Sequence, residues 1–92
     1  MHAHAAVTMS LGNKVGLHSR PAAAFVKVAK GFRSSIQVKC ADKEVDGKNL
    51  LAVLWLGAGN GASVTVEARG DDAREAVDAL GVLIRDKFGE RE

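Results

Sequence analysis

The chain has 92 residues, of which 47% are hydrophobic and 26% are charged, and its formal net charge is +2. This balance indicates one small globular domain, residues 1–92, and excludes an intrinsically disordered chain. With three Phe, one Trp, no Tyr and no block of basic residues, the chain offers little for base stacking, so we expect no nucleic-acid partner.

The first third of the chain predicts a strand, a loop and a helix. Residues 1–5 are expected to be frayed, and alternating apolar and polar residues predict a strand over 7–11. The loop over 12–16 contains two glycines, which indicate that the backbone turns or closely approaches another segment. Pro21 is typical of a first helical turn, and Gly31 of a helix end. The apolar residues of this helix recur at the spacing of one face: Ala22, Phe25, Val26 and Ala29.

The middle of the chain predicts two strands and a short helix. Residues 36–40 alternate as a strand does, with Cys40 in the apolar register as a small core residue. Residues 43–46 form a short charged strand, which we place at an edge of the sheet. Asn49 caps a helix over 50–56, and the glycine-rich residues that follow end it.

The last third of the chain predicts a strand over 63–69 and a final helix. Asp72 and Glu75 have the spacing of a capping box at the start of that helix. Its apolar face consists of Ala73, Ala76, Val77, Leu80, Leu83 and Ile84. The element order is therefore β-α-β-β-α-β-α. Four strands in one sheet with the helices on one face would bury every apolar stripe. We therefore predict an α+β fold, a two-layer open-faced sandwich in which a four-stranded antiparallel sheet carries three helices on one face.

The cysteine count and the hydropathy pattern indicate the cellular compartment of the chain. Cys40 is the only cysteine, which excludes an internal disulfide and favours a reducing environment. No apolar run is long enough to cross a membrane, and the first six residues lack the basic and long apolar regions of a secretory signal. We therefore expect a cytoplasmic protein that does not insert into a membrane. We also expect a monomer, although these features do not bear on oligomeric state.

The segment Gly-Leu-His-Ser-Arg-Pro-Ala-Ala, residues 16–23, places a histidine immediately before a predicted helix start. The first amides of a helix have no intrahelical partner, and that end of the helix is partly positive. His18 is therefore aimed at an anion site and suits a phosphoryl group carried on an imidazole nitrogen. The amides of Ser19 and Arg20, together with the Arg20 guanidinium, are placed to bind phosphoryl oxygens. The alternative is that His18 is an N-cap or a loop residue without chemistry.

The short helix that follows Asn49 is apolar nearly all round, which a helix in so small a domain cannot bury completely. We expect Val53 and Leu56 to enter the core. The side that carries Leu50 and Leu54 then forms an exposed apolar patch, which is typical of a docking surface. The pattern leaves open whether Trp55 is a buried anchor or part of that patch.

His2 and His4 form a His-x-His pair that could touch a metal ion. No cluster of cysteines or carboxylates completes such a site, and histidines near a terminus are more often uninvolved. We therefore expect no metal and no cofactor.

The histidine motif resembles the active-site signature of the HPr family, the histidine-containing phosphocarrier proteins of the bacterial phosphotransferase system. The resemblance extends from about Ala6 to Lys87 and takes in Phe25-Val26, Lys30-Gly31-Phe32, Leu56-Gly57 with the glycines after it, and Gly61-Ala62-Ser63-Val64-Thr65-Val66. It implies a carrier rather than an enzyme, with the HPr-like fold. The carrier would accept a phosphoryl group on Nδ1 of His18 from phosphoenolpyruvate-charged Enzyme I and pass it to IIA components of sugar permeases. The docking face implied by the resemblance consists of Leu50, Leu51, Leu54, Ala23 and Lys27.

Two features depart from the family pattern. Many relatives have a regulatory serine at the start of the second helix, and Asn49 occupies the matching position here. Leu54 and Trp55 stand where relatives are often more polar. The alternative function is a regulatory or nitrogen-branch module of HPr-like fold that acts mainly by protein–protein docking.

Overall fold

The computed structural model describes residues 3–89 of the chain. Along this range the elements follow the predicted order, with one additional short 3-10 helix at the end. Their bounds are β1 (His4–Ser10), α1 (Ser19–Ala29), β2 (Ser35–Cys40), β3 (Lys43–Asp46), α2 (Leu50–Trp55), β4 (Ser63–Arg69), α3 (Ala73–Arg85) and the 3-10 helix Lys87–Gly89.

The four strands form one antiparallel sheet in the order β1-β4-β2-β3. Val66 in β4 lies between Val7 of β1 and Val38 of β2, so apolar residues of three strands align on one face. The helices cover that face, because the apolar stripes of α1 and α3 have no other large apolar surface to bury against. The predicted α+β open-faced sandwich and the edge position of β3 are confirmed.

Alternation along the strands and helical spacing along α1 and α3 bring the buried residues into one core. The predicted stripe of α1 is buried throughout, and that of α3 is buried except for Leu83, which is half-buried. Cys40 at the end of β2 is also half-buried and packs at the margin of the core instead of within it.

The expected frayed terminus is wrong for two of its residues, because β1 begins at His4 and Ala5 is buried. The His4 side chain contacts Glu67, with 3.2 Å between His4 Nε2 and Glu67 Oε2, and this contact holds the start of the strand. It is also the first cause of the lowered pKa of Glu67, which Lys39 and Arg69 lower further. Residues 1 and 2, and with them the predicted pair partner His2, lie outside the described residues.

The predicted capping box at α3 is wrong, although Asp72 does stand at the N-cap. Its side chain makes no capping bond to its own helix. The carboxylate instead accepts hydrogen bonds from the Arg33 amide at 2.8 Å, the Ser34 amide at 2.9 Å and the Ser34 hydroxyl at 2.5 Å. Three donors from the segment between α1 and β2 outcompete the single local amide that a capping box would use.

The end of α1 also differs in detail from the expectation. The helix ends at Ala29, and the Lys30 amide donates back to the Val26 carbonyl at 2.9 Å. Within residues 3–89 the glycines with positive φ do not include Gly31, so this helix ends without a left-handed glycine. Lys30 is the C-cap residue, and Gly31 follows it without capping the helix.

Candidate functional site

The loop between β1 and α1 is held against the loop that follows α2. Gly16 has a φ of 62°, and the Leu17 amide donates to the Ala58 carbonyl at 2.8 Å. The Asn13 side chain donates to the Gly16 carbonyl at 2.7 Å, and the Asn60 side chain donates to the Asn13 carbonyl at 2.9 Å. These bonds fix the backbone immediately before His18, as the predicted close approach of a loop glycine requires.

His18 is exposed and stands at the N-cap of α1. Its carbonyl accepts the first intrahelical bond, from the Ala22 amide at 2.8 Å, and its side chain makes no capping bond. Pro21 carries no N–H, so the amides of Ser19 and Arg20 are the ones that precede the first helical bond. An exposed imidazole thus stands next to two amides at the partly positive end of an eleven-residue helix.

The nitrogen Nδ1 of His18 lies 3.4 Å from the hydroxyl oxygen of Ser19. A hydroxyl that donates to Nδ1 requires the neutral ring to carry its proton on Nε2, which leaves a lone pair on Nδ1. Arg20 is exposed on the same helical turn. Among residues 3–89, no carboxylate lies within ion-pair distance of its guanidinium, so no internal partner competes with an incoming anion.

A shallow cavity of about 170 Å³ adjoins the His18 ring. Its lining is mostly apolar and consists of Val15, Leu17, His18, Leu54, Gly57, Ala58 and Gly59. Because Leu54 belongs to α2, the cavity joins the imidazole directly to the face of the second helix. Among these lining residues, the loop residue Val15 is itself exposed.

The second helix places its residues as the sequence predicts. The Asn49 side chain accepts a hydrogen bond from the Ala52 amide at 3.1 Å, so the predicted cap is confirmed. Val53 and Leu56 are buried. The outward residues are Leu50, Leu51 and Trp55, which are 39%, 78% and 61% exposed, with Leu54 half-buried beside them.

Trp55 therefore belongs to the exposed patch and is not a buried anchor. The structure also shows a contact that the sequence analysis missed. The Lys43 ammonium lies over the indole ring, 4.6 Å from its centroid, and donates to the Trp55 carbonyl at 3.4 Å. The two residues are twelve positions apart in different elements, so no local pattern signals the contact. From α1, Ala23 and Lys27 are exposed as expected of docking residues.

Comparison with known proteins shows the family to which the chain belongs. Residues 5–86 match the family described as PTS HPr component phosphorylation site. The chain belongs to the HPr family of phosphocarrier proteins. It is 42% identical over 80 residues to the phosphocarrier protein HPr of Cupriavidus necator, covering 87% of this chain and 90% of that protein. It is 46% identical over 81 residues to HPr of Pseudomonas putida, with the same two coverages.

The fold agrees with that of a solved HPr. The crystal structure of HPr-C-His from Thermoanaerobacter tengcongensis superposes with a TM-score of 0.92 at 44% identity, covering 96% of this chain and 99% of that chain. Members of the HPr family are carriers of the phosphotransferase system and not catalysts, so the partners of this chain are components of that system.

Between residues 3 and 89, no group of three or more His, Cys, Asp or Glu side chains is arranged to hold a metal ion. His4, the described member of the predicted His-x-His pair, contacts Glu67 instead. No helix in that range is both long and apolar enough to cross a membrane.

Proposed function

We propose that this HPr family member accepts a phosphoryl group on Nδ1 of His18 from phosphoenolpyruvate-charged Enzyme I and passes it to IIA components of sugar permeases. The observation that carries the proposal is the position of His18. Its ring is exposed at the N-cap of α1, beside a hydroxyl and two amides that precede the first helical bond. A buried or internally paired histidine could not serve two partners in turn.

The chemical step needs a neutral imidazole with its lone pair on Nδ1. That nitrogen attacks phosphorus, the new N–P bond forms, and the bond between phosphorus and the donor atom breaks, with the electron pair returning to the donor. A Ser19 hydroxyl that donates to Nδ1 fits this tautomer, and it must turn away as phosphorus approaches. Passing the group to an acceptor reverses the same bond changes.

The charge that the phosphoryl group brings is met by the helix start. Two amides and the helix dipole stabilise an anion at this position by about 0.3–2 kcal/mol, and the Arg20 guanidinium adds a charge-assisted contact. Exposure keeps this stabilisation modest, since water screens every contact. A modest stabilisation suits a carrier, which must release the group as readily as it accepts it.

Docking is proposed for the surface that adjoins the His18 ring. It comprises Leu50, Leu51 and Leu54 of α2 with Ala23 and Lys27 of α1. The cavity shared by His18 and Leu54 supports this assignment, because a partner that reaches the ring must cover the apolar residues beside it. Asn49 caps α2 with its side chain but has no hydroxyl, so we propose that phosphorylation at this position does not regulate docking.

The proposal is tested by mass spectrometry after mixing the chain with a competent Enzyme I and phosphoenolpyruvate. One acid-labile phosphoryl group should appear on the wild type and on His4→Ala, and none on His18→Ala. His4→Ala is the matched control, because His4 is also exposed but lies at the opposite end of β1. If the wild type gains no mass while Enzyme I and a IIA component still bind it, the chain is a docking module and the relay is refuted.

A further inference from the structure

A second cavity, of about 470 Å³, lies at the end of the sheet opposite to the histidine loop. Arg69 stands there between His4 of β1 and Ser35 of β2, its partners in the strand register. The neighbouring residues along each strand are buried, so these three side chains project from the helix-free face of the sheet. Arg33, before β2, and Asp71, after β4, complete the charged lining of this distal cavity.

The two guanidinium groups of the distal cavity have no carboxylate partner of their own. Within the described part of the chain, residues 3–89, no carboxylate lies within ion-pair distance of the Arg33 guanidinium. The Arg69 guanidinium reaches only Glu67, at 3.8 Å, and that carboxylate is shared with His4 and Lys39. Both arginines are exposed, so their fork-shaped sets of donors are available to an anion.

The other polar residues of the distal cavity supply acceptors. Asp71 contributes an exposed carboxylate. When the neutral His4 ring donates from Nε2 to Glu67, 3.2 Å away, its Nδ1 remains an acceptor. The Ser35 hydroxyl can accept or donate. A plain anion would be repelled by Asp71, whereas a ligand that carries hydroxyl groups beside its charge can donate to these acceptors.

We propose that the distal cavity binds a phosphate monoester of a small polyhydroxylated molecule. The guanidinium groups of Arg33 and Arg69 bind the phosphate, and Asp71 and His4 accept from the hydroxyls. A phosphate monoester has three acceptor oxygens and nearly two negative charges, which engage both arginines, whereas one bidentate arginine satisfies a carboxylate. A cavity of about 470 Å³ lies in the size range of small-molecule sites and has room for the ester as well as the phosphate.

This binding site is separate from the phosphoryl site at His18. The eleven residues of α1, about 16 Å of helix, separate His18 at its start from the segment that carries Arg33. A ligand in the distal cavity therefore leaves the imidazole uncovered, and the proposal does not depend on the relay.

The test is a titration with glycerol 3-phosphate followed by amide magnetic resonance, residue by residue. Calorimetry would add binding at the helix start beside His18, whereas the amides of Ser35, Gly70 and Asp71 observe the distal cavity alone. These three signals should shift and saturate. Inorganic phosphate, which brings no polyol to Asp71, should bind there at least about threefold more weakly, and glycerol should cause no shift.

Arg33→Gln is the decisive variant, because its guanidinium has no internal ion pair and its loss should leave the fold intact. It should weaken glycerol 3-phosphate binding by about tenfold. The matched control is Arg74→Gln, which removes an exposed arginine of α3 outside the distal cavity and should bind as the wild type does. Asp71→Asn should bring the affinities for glycerol 3-phosphate and inorganic phosphate closer together, since it removes the repulsion and one hydroxyl acceptor.

Three results would overturn the proposal. One is the absence of a saturable shift at Ser35, Gly70 and Asp71, whether or not the Ser19 and Arg20 amides respond. Another is equal affinity for the two phosphates, and the third is wild-type binding by Arg33→Gln in protein whose amide spectrum shows it to be folded. Phosphorylation of His18 is measured separately and is unaffected by each of them.

Discussion

Replacing Gly16 with alanine should displace His18 without touching it. Gly16 has a φ of 62°, a conformation that L side chains rarely adopt. A Cβ at this position would lie 2.6 Å from the Cα and the carbonyl carbon of Gly59, and closer still to the Ala58 carbonyl oxygen. Backbone atoms on both sides of the contact cannot rotate away, so the two loops must separate.

The cost follows from the two features that are lost. Alanine in the left-handed region costs about 1–2 kcal/mol relative to glycine. Separating the loops breaks the bond from the Leu17 amide to the Ala58 carbonyl, 2.8 Å long, which contributes about 1 kcal/mol. We therefore expect Gly16→Ala to lower the free energy of unfolding by about 2–3 kcal/mol. Phosphoryl transfer should slow by about tenfold or more because the imidazole is displaced.

The matched control is Gly59→Ala in the facing loop, where an added Cβ meets nothing within 4 Å. Urea unfolding measures the stability of both variants, and phosphorylation by Enzyme I measures transfer. Gly59→Ala should stay within about 0.5 kcal/mol of the wild type. If Gly16→Ala proves equally harmless in both assays, the contact between the two loops does not position the histidine.

Substitutions at three further positions test separate parts of the site and the fold. Arg20→Ala should slow phosphoryl transfer by about tenfold with unchanged stability. A wild-type rate would show that the Arg20 guanidinium does not stabilise the phosphoryl charge. Ser19→Ala should move the nitrogen chemical shifts of the neutral His18 ring toward those of the tautomer protonated on Nδ1. Ser19→Thr, which keeps a hydroxyl, should leave the shifts unchanged. Identical shifts in both variants would show that the hydroxyl does not select the tautomer. Asp72→Asn should destabilise the fold at about pH 7. The Ser34 hydroxyl, then the Arg33 and Ser34 amides, lower the pKa of Asp72 from 3.8 to about 2. Its stabilisation is therefore complete above pH 3.8 and lost as pH falls toward 2, so the two proteins should converge in urea unfolding at low pH, and a constant difference would refute the linkage.

The periodicity of apolar residues and the local motifs were sufficient to predict most of the fold. The alternation in β1, β2 and β4 and the helical spacing in α1 and α3 report the buried faces directly, since each reflects one side of one element. The same holds for the Asn49 cap, which local residues determine, and for the place of His18 at the N-cap of α1, which the helix-start motif predicts.

Contacts between distant segments could not be predicted in this way. The Asp72 carboxylate accepts hydrogen bonds from amides that lie 38 and 39 positions earlier, so the spacing of Asp72 and Glu75 wrongly predicted a capping box. Lys43 and Trp55 meet only because β3 and α2 pack together. The early start of β1 at His4 likewise depends on Glu67 of β4, a partner that no local pattern reveals.

The central claim is that phosphorus bonds to one particular nitrogen, and heteronuclear magnetic resonance observes that bond directly. The chain, labelled with ¹⁵N in its histidines, is phosphorylated with Enzyme I and phosphoenolpyruvate, and phosphorus–nitrogen couplings are recorded. We expect one coupled nitrogen, Nδ1 of His18. Coupling to Nε2 of that ring, coupling to another histidine, or no coupling in fully phosphorylated protein would contradict it.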